Sequence, residues 1–201
     1  MSEALPDYGW GSARPHTANY LSEKVRDILR ESGGKSVLDA GCGNGALAGY
    51  LASLGYQVTG LDASTSGIEI ARMTFPDVRF EVGTFDSPPT GTFDAVCSTE
   101  VVEHLYSPHL LIQYCFEALK PGGLLIISTP YHGYLKNLAI ALLGKWDSHL
   151  TALWHGGHIK FWSRATLSSL LEGAGFEVTG FYGAGRLPFF WKSMIIVAKR
   201  P

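Results

Sequence analysis

Two carboxylates and one histidine lie within one short segment, directly after a predicted buried strand. Glu100, Glu103 and His104 stand at positions i, i+3 and i+4, so a helical turn would place all three side chains on one face. These groups can chelate a divalent cation, and the imidazole alone can act as a general base near pH 7. Two neighbouring carboxylates are unfavourable unless a cation or a proton lies between them. We therefore predict three catalytic residues here, with a metal site, a general base and a pocket-shaping histidine as the open interpretations.

A second group combines exposed backbone with acidic side chains. A predicted buried strand ends at Asp39 and is followed by a turn that contains Gly41, Gly43 and Gly45. Glycine has no Cβ and tolerates positive φ, so this backbone can approach a ligand closely. The next predicted strand ends at Asp62, 23 residues after Asp39, near the ~20-residue spacing at which an acid reaches ribose hydroxyls. The spacing predicts a nucleoside site and, taken alone, also fits a dinucleotide enzyme.

The glycine turn resembles motif I of the class I S-adenosylmethionine-dependent methyltransferases. It reads G-x-G-x-G with an acid two residues before the first glycine, whereas the dinucleotide fingerprint is G-x-G-x-x-G. The resemblance continues, in order, through Leu61-Asp62, Phe93-Asp94-Ala95-Val96 and Leu119-Lys120-Pro121-Gly122-Gly123. It implies S-adenosylmethionine, or the product S-adenosylhomocysteine, as the cofactor. The cofactor-binding residues implied are Asp39, Gly41, Cys42, Gly43, Asp62, Ala63, Phe85 and Thr99.

The segment that contains Glu100, Glu103 and His104 narrows the resemblance to two branches of this class of methyltransferases. Glu-x-x-Glu-His, followed later by a histidine shortly before Lys-Phe, is similar to the ubiquinone-biosynthesis O-methyltransferases and to the enzymes that methylate the terminal ribose of small RNAs. Members of both branches act on adjacent hydroxyls with a divalent cation. The match implies Glu100, Glu103, His104 and His158 as metal ligands. Two oxygen and two nitrogen ligands are compatible with Mg²⁺, Mn²⁺, Fe²⁺ or Zn²⁺.

Four functions stay open at this point. The first is O-methylation of a small apolar or aromatic hydroxylated acceptor, with or without a metal. The others are metal-independent N- or C-methylation with His104 as base, methylation of RNA ends, and cofactor binding without catalysis. The net charge of −2 and the scattered Lys and Arg residues argue against a nucleic-acid partner, because such domains normally carry a basic stripe.

Length and composition predict one soluble domain. The 201 residues, 46% hydrophobic and 17% charged, suffice for one α/β core. The first residues lack a basic start and an apolar stretch, and no apolar run approaches ~18 residues, so we expect a cytoplasmic protein. Cys42, Cys97 and Cys115 lack metal-type spacing, which predicts reduced, structural thiols.

The predicted elements that position these residues alternate between strand and helix. We predict strands at 35–40, 57–62, 77–82, 93–98 and 122–129, and helices near 17–31, 45–54, 64–73, 107–119 and 163–173. This alternation predicts an α/β fold with a doubly wound, mostly parallel sheet. The resemblance adds an antiparallel closing pair at 176–181 and 192–198, which gives the seven-stranded, Rossmann-like methyltransferase fold. We expect residues 1–201 to form a single methyltransferase domain.

Two segments lie outside this minimal fold. Residues 1–34 are expected to cap the cofactor pocket, and residues 130–162 to form a variable lid on the acceptor side. Within the lid, 134–146 is an unusually apolar predicted helix flanked by lysines and a tryptophan. It is open to four interpretations: a packed helix, a lid over the acceptor, a dimer contact, or a helix on a membrane surface. His132 and His149 are interpreted as structural.

Overall fold

The computed structural model describes residues 17–150, 153–154 and 156–201, and its centre is a seven-stranded sheet. The strands are β1 (Ser36–Ala40), β2 (Gln57–Asp62), β3 (Arg79–Val82), β4 (Phe93–Thr99), β5 (Leu119–Pro130), β6 (Glu177–Ala184) and β7 (Ser193–Lys199). The helices are α1 (Ala18–Ser32), α2 (Ala46–Ser53), α3 (Thr65–Thr74), α4 (Pro108–Ala118), α5 (Tyr134–Leu142), α6 (Trp146–Leu150) and α7 (Arg164–Gly173), with a 3₁₀ turn at Val102–His104. Residues 1–16 of the predicted cap lie outside the described residues.

The sheet has the strand order β3-β2-β1-β4-β5-β7-β6. Strands β1 to β5 run parallel, and β7 pairs antiparallel with both β5 and β6. The predicted fold class is therefore confirmed, including the antiparallel closing pair. In a parallel sheet the carboxyl ends of neighbouring strands meet at one edge, so this topology brings the ends of β1, β2 and β4 together.

Buried apolar side chains cover both faces of the sheet and form two core clusters. On β5, Ile126 packs into one cluster while Leu125 and Ile127 pack into the other, since alternate residues of a strand point to opposite faces. A strand that is covered on both faces has a nearly continuous apolar sequence, which explains why β5 and β7 could be predicted. All three cysteines are buried free thiols.

The lid region departs from the prediction. The single helix expected over 134–146 is interrupted, because α5 ends at Leu142 and Gly144 adopts a positive φ of 61° before α6 begins. Lys136 is the buried residue of α5, at 6% exposure, whereas Leu142 is 77% exposed. An apolar helix that buries its lysine and exposes its leucines is not an ordinary packed helix, so the lid, dimer-contact and membrane-surface interpretations stay predictions. Among the described helices, none is both long and apolar enough to cross a bilayer.

Candidate active site

A cavity of about 530 Å³ opens at the carboxyl ends of β1, β2 and β4. Seven of the eight predicted cofactor residues line it, namely Asp39, Gly41, Cys42, Asp62, Ala63, Phe85 and Thr99. The eighth, Gly43, does not line the cavity but donates its amide N–H to Asp62. Thr17, Leu21 and Ser22 also border the cavity, so the start of α1 lies against it.

The turn after β1 requires glycine. Gly41 has a φ of 85°, and a Cβ there would collide with the side chain of Val101. Gly45, the residue before α2, has a φ of 77°, and a Cβ there would lie 2.7 Å from the ring of Phe80. The amides of Gly41 and Cys42 both donate to the carbonyl oxygen of Leu61, at 2.8 and 3.0 Å. The turn is thus fastened to β2 and presents bare backbone to the cavity.

Asp62 holds the turn in place. Its Oδ2 accepts the amide of Gly43 and its Oδ1 accepts the amide of Ser64, both at 2.8 Å. Burial raises the pKa of Asp62, and these amide hydrogen bonds act in the opposite direction. Each carboxylate oxygen has a further lone pair with which it can accept a ligand hydroxyl.

Asp39 is a buried carboxyl group that lacks a counter-charge. It is 1% exposed, and neither of its oxygens has a hydrogen-bond partner within the described residues. Burial raises the pKa of Asp39 to about 7, the charge of Asp62 adds to the effect, and the nearby backbone amide of Ala48 opposes it. An unpaired buried carboxylate is costly, so its presence points to a ligand that brings a cationic or hydrogen-bonding group.

The predicted catalytic turn has a different shape from the one expected. The 3₁₀ helix begins only at Val102, and Glu100 precedes it with a φ of 57°, so the expectation of three side chains on one helical face is wrong. Glu100 instead accepts hydrogen bonds from the hydroxyls of Ser128 at 2.8 Å and Ser193 at 3.0 Å. A non-glycine residue in the left-handed region is strained, and such strain concentrates at functional sites.

Glu103, His104 and His158 form a compact group. Each offers one ligand atom, and these atoms lie within 4.8 Å of one another. The carbonyl oxygen of Glu103 accepts the amides of Ile159 at 2.9 Å and Lys160 at 3.1 Å, which holds the His158 loop beside the 3₁₀ turn. Three of the four predicted metal ligands are therefore brought together, and Glu100 is not part of this group.

Only one of the two carboxyl oxygens of Glu103 accepts a hydrogen bond within the described residues. Its Oε2 accepts the hydroxyl of Thr129 at 3.0 Å, whereas its Oε1 is buried without a hydrogen-bond partner within the described residues. Burial raises the pKa of Glu103 well above its usual range, and the charge of Glu100 raises it further. A bound cation would lower the pKa of Glu103 again, because it supplies a positive charge next to the carboxylate.

The two histidines of the group are held as neutral rings. A carbonyl oxygen can only accept, so the Nδ1 of His104, 2.9 Å from the oxygen of Gly156, carries the proton and Nε2 carries the lone pair. Such a bond to a backbone carbonyl is typical of metal-ligating histidines. Burial lowers the pKa of both rings, that of His158 to about 4. Trp154 packs edge-on against both, with ring centroids 5.8 Å away.

Two features of the site could not be anticipated in detail. The structure places Phe85 at the cavity, while the neighbouring Asp86 is exposed and accepts the hydroxyl of Thr84. Trp154 was missed altogether, because no spacing connects it to the histidines it contacts. His155, which adjoins it, lies outside the described residues.

Comparison with known proteins decides the family. A family model described as a methyltransferase domain matches residues 14–180. The chain belongs to this methyltransferase family. A probable S-adenosylmethionine-dependent methyltransferase of Mycolicibacterium smegmatis is 34% identical over 164 residues, which are 79% of this chain and 60% of that protein. A ubiquinone biosynthesis O-methyltransferase of Vibrio cholerae is 32% identical over 186 residues, which are 87% of this chain and 73% of that protein.

A solved structure agrees with this assignment. The magnesium protoporphyrin IX methyltransferase of Synechocystis PCC 6803, crystallised with bound SAH, superposes with a TM-score of 0.72 and 22% identity over 96% of this chain and 91% of that one. Identity this low shows the shared fold alone. The chain also spans less than two thirds of the mycobacterial relative.

The site of this methyltransferase fits its cofactor. Enzymes of the family depend on S-adenosylmethionine, a molecule that carries a protonated amino group and two ribose hydroxyls. The unpaired carboxyl group of Asp39 and the fixed carboxylate of Asp62 are suitable partners for those groups, and the turn at Gly41 leaves room for the ligand to approach the backbone.

Proposed function

We propose that this methyltransferase transfers a methyl group to an oxygen atom of a small hydroxylated acceptor, assisted by a divalent cation at Glu103, His104 and His158. The observation that carries the proposal is the convergence of these three ligand atoms beside a cavity that already has the features of a cofactor site. The relatives named as ubiquinone biosynthesis O-methyltransferases support oxygen as the acceptor atom.

The cofactor is held by the first two strand ends. Asp39 pairs with the amino group of the methionine part, Asp62 accepts ribose hydroxyls, and Phe85 borders the base. Thr99, Cys42 and Ala63 complete the wall. When bound, S-adenosylmethionine supplies an activated methyl group, and its S–CH₃ bond breaks as the O–CH₃ bond to the acceptor forms. The protein contributes alignment of the two reactants and removal of the acceptor proton.

The residues of the cluster prepare the acceptor oxygen. Glu103 and His158 would hold the cation, which lowers the pKa of a coordinated hydroxyl. The Nδ1–H of His104 is held by Gly156, and we propose His104 either as a ligand or as the base that accepts the proton. Glu100, hydrogen-bonded by two serines on neighbouring strands, is proposed to position the turn and to set the local charge.

The acceptor enters beneath the lid region. Trp154 and Leu105 border the same cavity as His104 and His158, which favours an apolar or aromatic body next to the reacting hydroxyl. A small molecule is therefore the proposed partner, and a nucleic acid is disfavoured by the net charge of −2. A cytoplasmic location forms part of the proposal, since the three buried free thiols suit a reducing compartment.

Methylation of catechol tests the proposal. Purified protein is incubated with S-adenosylmethionine and catechol, with EDTA or with added Mg²⁺ or Mn²⁺, and methylated catechol is measured by mass spectrometry. We expect turnover that EDTA abolishes and the cation restores, and that Glu103→Gln removes. Glu69→Gln, an exposed carboxyl on α3, is the matched control and should retain turnover. If EDTA does not change turnover, the metal is excluded from the mechanism and His104 is the proposed base.

A further inference from the structure

A second, smaller cavity adjoins the active site and has a distinct character. It has a volume of about 200 Å³ and is lined by Pro130, His132, Lys136, His149, Leu150, His158, Phe161, Arg186 and Lys192. Six of these nine residues are of basic type and none is acidic. The six come from the end of β5, from α5 and α6, from the loop before α7 and from the connection between β6 and β7. The three cationic side chains among them, Lys136, Arg186 and Lys192, come from α5 and from the connection between β6 and β7, so they do not form one charged helix face.

Lys136 is the buried element of this cavity. It is 6% exposed, and its Nζ donates to the carbonyl oxygens of Tyr131 at 2.8 Å and Lys192 at 3.5 Å. Two carbonyl bonds leave the third N–H of the ammonium group for another acceptor. A lysine is rarely buried unless it is paired. Burial lowers the pKa of Lys136 to about 8, the charge of Arg186 adds to this effect, and the charge of Glu100 opposes it.

Among the described residues, the basic side chains of this cavity form no salt bridge, and Glu100 is an acid whose charge acts on Lys136. Within the described residues, the salt bridges join Arg26 to Asp27, Arg79 to Glu81 and Lys120 to Asp94, and all of them lie elsewhere. Lys192 has its Nζ 5.2 Å from the ring centroid of Tyr20 and forms no salt bridge with any other residue that the structure describes. Like charges around a cavity repel one another, and a bound anion reduces this repulsion. The cavity therefore favours a negatively charged ligand.

The pKa values of two histidines in this cavity, His132 and His149, are also lowered. Burial lowers the pKa of His132 to about 4, and the charges of Lys136 and His149 contribute to the shift. Burial also lowers the pKa of His149, and the charges of Lys136 and Arg186 add to this effect. The rings of His132 and His149 stand edge to face with centroids 5.9 Å apart. Both histidines were interpreted as structural from the sequence, but both line this cavity.

The cavity is connected to the proposed chemistry through one residue. His158 borders both the large cavity and the small one, so a ligand in the small cavity lies next to the cluster where the acceptor hydroxyl is expected. The volume equals that of about seven waters, at ~30 Å³ each, which accommodates one carboxylate or phosphate group with a few waters.

We propose that this small cavity, lined by Lys136, Arg186 and Lys192, binds an oxyanion that forms part of the methyl acceptor. The acceptor is then a hydroxylated molecule with a carboxylate or phosphate group, whose hydroxyl lies at Glu103, His104 and His158. Arg186 offers a planar fork of donors suited to either oxyanion, and Lys136 supplies a fixed point charge. The assignment rests on the proposed function, since it deepens the description of the same acceptor.

Anion binding tests the cavity independently of turnover. Inorganic phosphate and acetate are titrated separately into the purified protein by calorimetry, at ionic strength held constant with NaCl. We expect saturable binding of at least one of the two: phosphate alone indicates a phosphate group, and acetate a carboxylate. Arg186→Gln should weaken this binding about tenfold or more, whereas Arg30→Gln, at another exposed arginine that lines neither cavity, should leave it unchanged.

A second experiment compares two methyl acceptors that differ only in an anionic group. The ratio of kcat/KM for 3,4-dihydroxybenzoate over catechol should fall about tenfold in Arg186→Gln and stay constant in Arg30→Gln. Absence of binding for both anions, or equal binding by the two variants, overturns the assignment. If neither compound is methylated although phosphate or acetate binds at Arg186, the proposed catechol chemistry fails while the anion cavity stands.

Discussion

The imidazole rings of His104 and His158 lie with their centroids 4.9 Å apart and their planes at 71° to each other. They belong to segments that are distant in the chain, and the hydrogen bonds from Ile159 and Lys160 to the carbonyl oxygen of Glu103 keep them together. Lowered pKa values keep both rings neutral at pH 7, and a neutral imidazole is the form that binds metals.

Removal of one ring should weaken metal binding. Calorimetric titration of the protein with Mn²⁺ and Zn²⁺ is expected to give a single site, and His158→Ala should lower its affinity about tenfold or more. His109→Ala, at an exposed position on α4, is the control and should bind as the wild type does. Equal affinities of the two variants would exclude His158 as a ligand.

The two glutamates of the acidic segment should behave differently. Glu103 belongs to the three-residue group and has an unpartnered oxygen, whereas both oxygens of Glu100 already accept serine hydroxyls. Glu103→Gln should therefore reduce Mn²⁺ affinity by about tenfold or more, and Glu100→Gln by less than about threefold. The same calorimetric titration measures both. A larger loss in Glu100→Gln would restore Glu100 to the ligand set.

The buried carboxyl group of Asp39 should make the cofactor-free protein less stable as pH rises. Its pKa is about 7 when folded against a usual value of 3.8, so the folded state holds a proton that the unfolded state releases between these two pH values. The cost is absent below pH 4 and complete above pH 7, where it amounts to about 4 kcal/mol.

Urea unfolding at several pH values measures this cost. The free energy of unfolding of Asp39→Asn relative to wild type should increase from pH 4 to pH 7.5. His132 and His158 act in the opposite direction below pH 6.5, because burial lowers their pKa to about 4, but they are common to both proteins and cancel in the difference. A difference that does not change with pH would show that Asp39 titrates normally.

Two glycine-to-alanine variants separate collision from backbone strain. Gly55→Ala places a side chain at a φ of 91° with no atom within 4 Å, so we expect a loss of about 1–2 kcal/mol. Gly41→Ala has similar strain and also collides with Val101, which adds about 1–3 kcal/mol and distorts the turn. Urea unfolding gives the stabilities and calorimetry the cofactor affinity. Equal effects of the two variants would contradict the close packing at Gly41.

The cofactor side of the molecule was predictable because its signals are local. The glycine turn, Asp39 and Asp62 each stand at the end of a predicted strand, and parallel strands bring such ends together. The break in the lid helix was also readable in principle, since Gly144 follows the last helical residues and glycine commonly ends a helix.

The acceptor side was less predictable for physical reasons. The left-handed conformation of Glu100 has no sequence signal, because glutamate rarely adopts it. Lys136 looked like a flanking surface lysine, and only the path of the chain shows that it is buried beside Arg186 and Lys192. Sites assembled from several loops carry no fixed spacing, so neither composition nor periodicity could reveal this cavity.

Calorimetric titration with S-adenosylmethionine tests the central claim most directly. The wild-type protein should bind one molecule, Asp39→Asn should bind it at least about tenfold more weakly because a charge-assisted bond is lost, and the exposed Asp77→Asn should bind it as the wild type does. No heat from folded wild-type protein, or equal affinities for Asp39→Asn and Asp77→Asn, would contradict a cofactor site at the ends of β1 and β2.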